Sequence, residues 1–450
     1  MFRRFLSLSL ILSCMALIVY ADPFGIPATI SPTLILGFML LAAYCIGYLL
    51  EGIGLPRITG YIFAGLLLGP YFLKFYSKDA VGDLGFLNSL ALAFIAFCAG
   101  GELTLANLRK KLKCILFQVF GVTAVVFIGV TLFVFFISGF IPFMNRYDSA
   151  ARLAISAIFG VIGVARSPSS TIAIICETKA KGVYTNVVLS STVATDVVII
   201  VFFAFVMSAC EIMIASGSSI SFGFLFSIML EVIIAFVLGF LLGKIIIFLI
   251  EKIKIEFPVV ITAVGFFVIK FSHLLGDYLQ ENLEIHINLE PLLICMAAGF
   301  TVQNFSKHGH TFLQRMDNVS YPIYIAFFAI TGASIDLDVL KSAWFLGLVI
   351  VVSRVLMIYI GSYVSGRLSG DKPVIYKNTW LGFITQAGVS LGLLAEVVRR
   401  FPEIGVPIQT ILITAITVNQ VIGPIAFKIA LYKVGDAGRP LSKPEKCKEM

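Results

Sequence analysis

Charge is what this 450-residue chain has least of: 13% of its residues are Asp, Glu, Lys or Arg, against 59% hydrophobic. A soluble domain keeps roughly a quarter of its residues charged, so a water-facing surface is missing. That excludes a soluble enzyme, a nucleic-acid binder and a disordered protein. The eight cysteines are scattered, most of them inside apolar runs and none in a Cys-x-x-Cys pair. Disulfide frameworks and zinc sites are therefore not expected, and cysteine reads as a small buried hydrophobe. A phosphate-binding loop is also missing. Gly239 to Lys244 has the wrong spacing, no Ser or Thr after the lysine, and sits in an apolar run, which argues against an ATP-driven pump. The Gly-Asp pairs at Asp83, Asp277, Asp371 and Asp436 lack the extra glycine of an intramembrane protease signature and fall in loops or the tail. No enzyme activity and no cofactor are expected.

Long apolar runs are what the chain has instead, with a mean hydropathy of +1.01. Residues 1–21 open with Arg3 and Arg4, pass through an apolar stretch and reach Val19-Tyr20-Ala21. This is the pattern of a signal peptide or, uncleaved, of an extra N-terminal helix. A helix needs about 20 apolar residues to cross the ~30 Å hydrocarbon core. Thirteen such runs follow, near 33–50, 58–73, 86–105, 114–140, 150–177, 184–208, 222–250, 257–275, 288–303, 320–335, 343–366, 377–398 and 405–432. Alternate loops on one side hold 14 basic residues, with five more in the tail, against eight on the other. Positive loops stay inside, which puts the C-terminus in the cytoplasm and residue 22 outside, and explains the net charge of +8 without a nucleic-acid partner. The expectation is an all-α, multi-pass integral membrane protein of thirteen transmembrane helices.

Few charges remain inside these runs, and charge at membrane depth is unfavourable enough to mark function. Lys244 and Lys428 lie close enough to basic ends to snorkel outward, and Glu231 and Glu396 read as interfacial. Arg166, Arg354, Glu102 and Asp196 are deeper. Asp196 is mid-run and is the leading candidate for a site; Arg354 is its natural counter-charge.

The two halves also resemble each other. Residues 94–105, around Gly101-Glu102-Leu103, match 326–337, and Thr192 to Val197 match Ile416 to Val421, setting Asp196 opposite Gln420. The landmarks keep their order and nearly their spacing, 232 and 224 residues. Six-helix repeats at 22–208 and 257–433, separated by a linker helix at 209–256 and followed by a tail at 434–450, would be inverted in the membrane, as in secondary transporters. Each half carries an interrupted span: Arg166-Ser167-Pro168-Ser169 in the first, Thr385-Gln386-Ala387-Gly388 in the second. Proline removes a helix hydrogen bond, and unwound backbone at that depth is tolerated only where it is buried or lines a cavity. Two broken helices, crossing near the midplane, present helix ends and free carbonyls suited to a cation.

These residues resemble the monovalent cation/proton antiporter superfamily, in the branch of bacterial sodium/proton exchangers and glutathione-gated potassium-efflux transporters. The stretch from Gly54-Leu55-Pro56-Arg57 to Leu68-Gly69-Pro70 is the most specific, joined by Gly101-Glu102-Leu103, Ser167-Pro168-Ser169-Ser170, the Asp196 helix and Thr385 to Gly388. The similarity runs over residues 33–432. It implies a six-helix core moving like an elevator against a dimerisation domain, in a homodimer within a bacterial inner membrane. It further implies that Asp196 binds cation and proton in turn and that Arg354 faces it. Two residues depart from the family pattern. Thr195 stands where Asp or Asn usually precedes the key aspartate, and Arg166 stands where a neutral residue usually precedes Ser-Pro. Arg166 would have to pair with Asp196 or Glu102.

Desolvation favours the protonated form of a buried carboxylate, and a nearby cation favours its ionised form. If the two balance, Asp196 holds either H⁺ or Na⁺/K⁺, and exchange follows. Thr195 offers only a neutral hydroxyl and arginine does not release a proton, so one cation for one proton, electroneutral, is expected. The alternative is a sodium-coupled organic-anion symporter on a related inverted-repeat fold.

Overall fold

The computed structural model describes residues 32–75, 77–214, 222–253, 263–268, 270–272, 291–307, 309–386 and 388–438, with isolated residues at 8, 9, 13, 260 and 274. The expected leader at 1–21 and the end of the basic tail lie outside the described residues, apart from those isolated positions.

The described chain is helical, and no strand occurs within it. In order the main elements are α1 (Pro32–Glu51), α2 (Arg57–Leu68), α3 (Gly85–Glu102), α4 (Leu105–Leu116), α5 (Val122–Ile137), α6 (Ser149–Val164), α7 (Pro168–Thr178) and α8 (Val183–Ile214). They continue as α9 (Phe222–Phe248), α10 (Pro291–Phe305), α11 (Gly309–Ala333), α12 (Leu337–Ser369), α13 (Thr379–Gly382), α14 (Gly388–Arg400) and α15 (Pro402–Val434). A π-helical turn over Phe117–Gly121 joins α4 to α5. Among the described residues, eight helices are long and apolar enough to cross a membrane, with five shorter apolar helices. Large side chains point outward along them: Phe136 is 78% exposed and Phe267 77%. In water such a surface would aggregate; in lipid it faces its solvent.

Two sets of helices pack among themselves. In one, α2 lies on α1 and α11, and α3 lies on α10 and α11. A Cβ at Gly65 would overlap the Ala329 carbonyl and one at Gly332 the Ile62 carbonyl, so the backbones of α2 and α11 touch. Gly100 on Met296 and Gly299 on Phe97 do the same for α3 and α10. Where lipid removes the hydrophobic drive between helices, such close backbone approach supplies van der Waals contact instead. In the other set, α5 packs on α6 and α12, α8 on α6, and α15 on α12 and α14. Contacts between the sets run from α7 to α2 and α3, from α15 to α2, and from α8 to α9.

Three of the intramembrane charges are accounted for at this level. Lys244 is exposed and lies over the rings of Phe240 and Phe305. Glu396 bonds Arg400 at 2.6 Å on the next turn. Lys428 does not snorkel: it turns inward and donates to the Leu55 carbonyl at 3.0 Å and to Glu177 Oε1 at 3.1 Å. An acceptor pair buried nearby outcompetes the boundary.

Candidate functional site

The first interrupted span breaks as its sequence dictates. Helix α6 ends at Val164, and Ala165, Arg166 and Ser167 are non-helical. Pro168 then takes the first position of α7, where a missing N–H leaves no bond unmade. Ser167 caps that helix, its Oγ accepting from the Ser170 amide at 3.3 Å. In the second span, α13 stops at Gly382, residues 383–386 are non-helical, and α14 starts at Gly388. The links cross in contact: the Ser167 amide donates to the Thr385 carbonyl at 3.0 Å. Gln386 ties them further, its Nε2 donating to the Ile162 carbonyl at 3.1 Å while its Oε1 accepts from Asn419 Nδ2 at 2.8 Å.

Arg354 of α12 lies behind this crossing and is 1% exposed. Its Nε donates to the Gly163 carbonyl at 2.7 Å and its Nη1 to the Ile384 carbonyl at 2.7 Å. Its Nη2 donates to the Ala165 carbonyl at 2.9 Å and the Phe383 carbonyl at 3.4 Å. The last carbonyls of a helix have no partner within it and carry the negative end of its dipole. Two such ends meet at the crossing, and one planar guanidinium with five donors satisfies both. Sequence reasoning set Arg354 against Asp196; its hydrogen bonds go to backbone carbonyls.

Asp196, on α8, faces a cavity of about 60 Å³ between the two helix sets. Its wall comprises Arg166, Ser167, Pro168, Ser169, Asp196, Ile200 and Val389 on one side, and residues of α3 and α10, among them Ile95 and Met296, on the other. A water needs roughly 10–15 Å³ of such space, so several fit. Asp196 is the acidic residue in that wall, and Arg166 is its basic one. The guanidinium of Arg166 stacks on the Phe383 ring, with Cζ 3.7 Å from the ring centroid.

The structure thus brings Asp196, Arg166, Ser167, Pro168 and Ser169 to one cavity and puts Thr385, Gln386 and Gly388 in or beside the crossing link. Thr195 is buried with its hydroxyl donating to the Ser191 carbonyl at 2.7 Å, along its own helix, and is not in the cavity wall. Glu102 closes α3, and its side chain lies outside the described residues. Sequence reasoning missed Phe383, one of 41 phenylalanines with nothing to single it out. It also missed Asn419, although the repeat match set Asn419 opposite Thr195.

A model of the transmembrane sodium/hydrogen exchanger family matches residues 37–433. The chain belongs to the sodium/hydrogen exchanger family. This family transports cations and protons by antiport, so the chain is a multi-pass membrane transporter. The protein named "Probable Na(+)/H(+) antiporter 3" of Methanocaldococcus jannaschii is 22% identical over 409 residues, 87% of this chain and 95% of that one. The fold matches a structure of the sodium proton antiporter MjNhaP1 from the same organism at pH 8, with a TM-score of 0.62 at 16% identity, over 90% of this chain and 95% of that one. It also matches an electron-microscopy map of that antiporter, with a TM-score of 0.71 at 16% identity, over 91% and 98%. Membership in this exchanger family gives no support to the organic-anion symporter alternative.

Proposed function

We propose that this exchanger passes one monovalent cation, Na⁺ by its family and K⁺ by chemical similarity, for one proton at Asp196. The carrying observation is the carboxylate of Asp196 in a cavity bounded by both broken helices. The first residues of α7 and α14 face that cavity, and helix N-termini favour a carboxylate in its ionised form. A proton or a cation then neutralises it in turn. Thr195 adds no second titrating group, so the exchange is electroneutral.

The cavity lies between the two helix sets, which supports an elevator-like slide of the α5, α6–α8 and α12–α15 set against the α1–α3 and α9–α11 set. Inverted repeats are supported by the reciprocal glycine contacts. Under a two-fold relating the halves, α2 corresponds to α10 and α3 to α11, so the α2–α11 contact is the counterpart of the α3–α10 contact. A homodimer in a bacterial inner membrane, with a cytoplasmic C-terminus as the basic loops require, completes the reading.

The test is exchange in proteoliposomes under Na⁺, Li⁺ and K⁺ gradients with the voltage clamped. Wild type should move protons against Na⁺ at a rate that does not change with potential, and Asp196→Asn should abolish it. A net charge per cycle would add about 2.3 kcal/mol per 100 mV and make the rate voltage-dependent. Exchange surviving in Asp196→Asn would remove the assignment of the site.

A further inference from the structure

Arg166 takes no part in the exchange as described, yet it stands at its centre. The side chain is 1% exposed, and neither Nη1 nor Nη2 makes a hydrogen bond with any described residue. A buried guanidinium whose Nη1 and Nη2 have no protein acceptor among the described residues depends on what the cavity beside it holds. What supports it is the face of Phe383, at 3.7 Å, and the acidic residue in the same cavity wall is Asp196. Both charged groups line the same cavity.

The charges around the crossing do not balance unless Arg166 has a further role. The C-terminal end of α6 and the free carbonyls that follow the short α13 turn are partially negative, and Arg354 meets both. The N-terminal ends of α7 and α14 bring roughly half a positive charge each toward the cavity, which one ionised Asp196 offsets. Arg166 is surplus. With its guanidinium held against the carboxylate, the cavity is positive before any transported cation arrives, and that cation would be repelled.

We infer that Arg166 is a tethered counter-ion for Asp196 and a determinant of cation affinity. When the site is empty of transported cation, the guanidinium neutralises the carboxylate across the cavity. When a cation binds, the guanidinium rests on the Phe383 ring, where a cation–π contact in a desolvated setting retains it. The two cations exclude each other, so the chain binds its substrate more weakly than the carboxylate alone would. This rests on Asp196 being the transport site.

Opposite shifts are expected from the two partners, which a merely structural role would not produce. At alkaline pH, where protons compete least, Arg166→Gln should lower the KM for Na⁺ on the order of tenfold, the size of an ordinary two-site coupling. Phe383→Leu removes the resting place and should raise KM, and it should have no effect once Arg166 is Gln. The Na⁺ concentration giving half of the thermal stabilisation of detergent-solubilised protein should shift the same way, independent of turnover. An unchanged or raised half-point in Arg166→Gln overturns the inference. Should that variant not fold, an unchanged or lowered half-point in Phe383→Leu does so. Wild type that neither exchanges Na⁺ nor is stabilised by it overturns the functional reading and this inference together. An active wild type with an unshifted Arg166→Gln overturns this inference alone.

Discussion

Arg354 shows how a single side chain can decide whether two broken helices are tolerable. Its bonds to the Gly163, Ala165, Phe383 and Ile384 carbonyls serve acceptors at and beyond the ends of α6 and α13, where the helix ladder supplies no donor. Arg354→Met should therefore lower stability by about 3–5 kcal/mol, since each buried carbonyl left without a donor costs about 1–3 kcal/mol. Arg354→Lys should not restore it, because an ammonium cannot fork between four carbonyls. Thermal unfolding of the purified variants checks this, and a Lys variant as stable as wild type would show that charge alone suffices. The sequence revealed that Arg354 is deep and cationic, but not what it binds. Backbone carbonyls are present at every position and leave no mark in the residue pattern. That Asp196 faces a cavity was legible for the converse reason, since a mid-run acid turned toward lipid would be strongly unfavourable.

Among the elements, both interruptions were readable from local chemistry. Ser167-Pro168 supplies a cap and an N1 proline, and Gly382 with Gly388 bounds a polar link. That the two links touch, through the Ser167 amide and Thr385 carbonyl, was expected from the repeat and not from either segment alone. The glycine contacts were not legible, because nothing in the sequence separates a glycine against backbone from one in open space. Gly65 and Gly37 make that distinction testable with the same substitution. At Gly37 a Cβ meets nothing within 4 Å, so Gly37→Ala should be neutral or stabilising by about 0.5–1 kcal/mol from helix propensity. At Gly65 it overlaps the Ala329 carbonyl, and Gly65→Ala should destabilise by about 1–3 kcal/mol as α2 is pushed from α11. Equal thermal midpoints for the two variants would mean that α2 and α11 can separate freely.

At the scale of the whole molecule, the Leu55-Pro56-Arg57 turn is where the two helix sets are bolted together. Lys428 of α15 donates to the Leu55 carbonyl at 3.0 Å and to Glu177 of α7 at 3.1 Å, and the Arg57 amide donates to the other Glu177 oxygen at 2.9 Å. Lys428 and Glu177 are 11% and 8% exposed, so breaking the pair strands a buried charge. Lys428→Met should destabilise by about 3–5 kcal/mol, and adding Glu177→Gln should recover part of the loss, since a buried pair replaced as a unit is far less damaging than one partner removed. A double variant no more stable than Lys428→Met would show that the lysine acts through Leu55 alone. Transport carries a second readout. If one set slides against the other, both bonds to the Leu55-Pro56-Arg57 turn must be remade in every cycle. The double variant, with the ion site untouched, should then turn over faster at an unchanged KM. Slower turnover at the same KM would make the junction a fixed brace, and the sliding boundary would have to lie elsewhere.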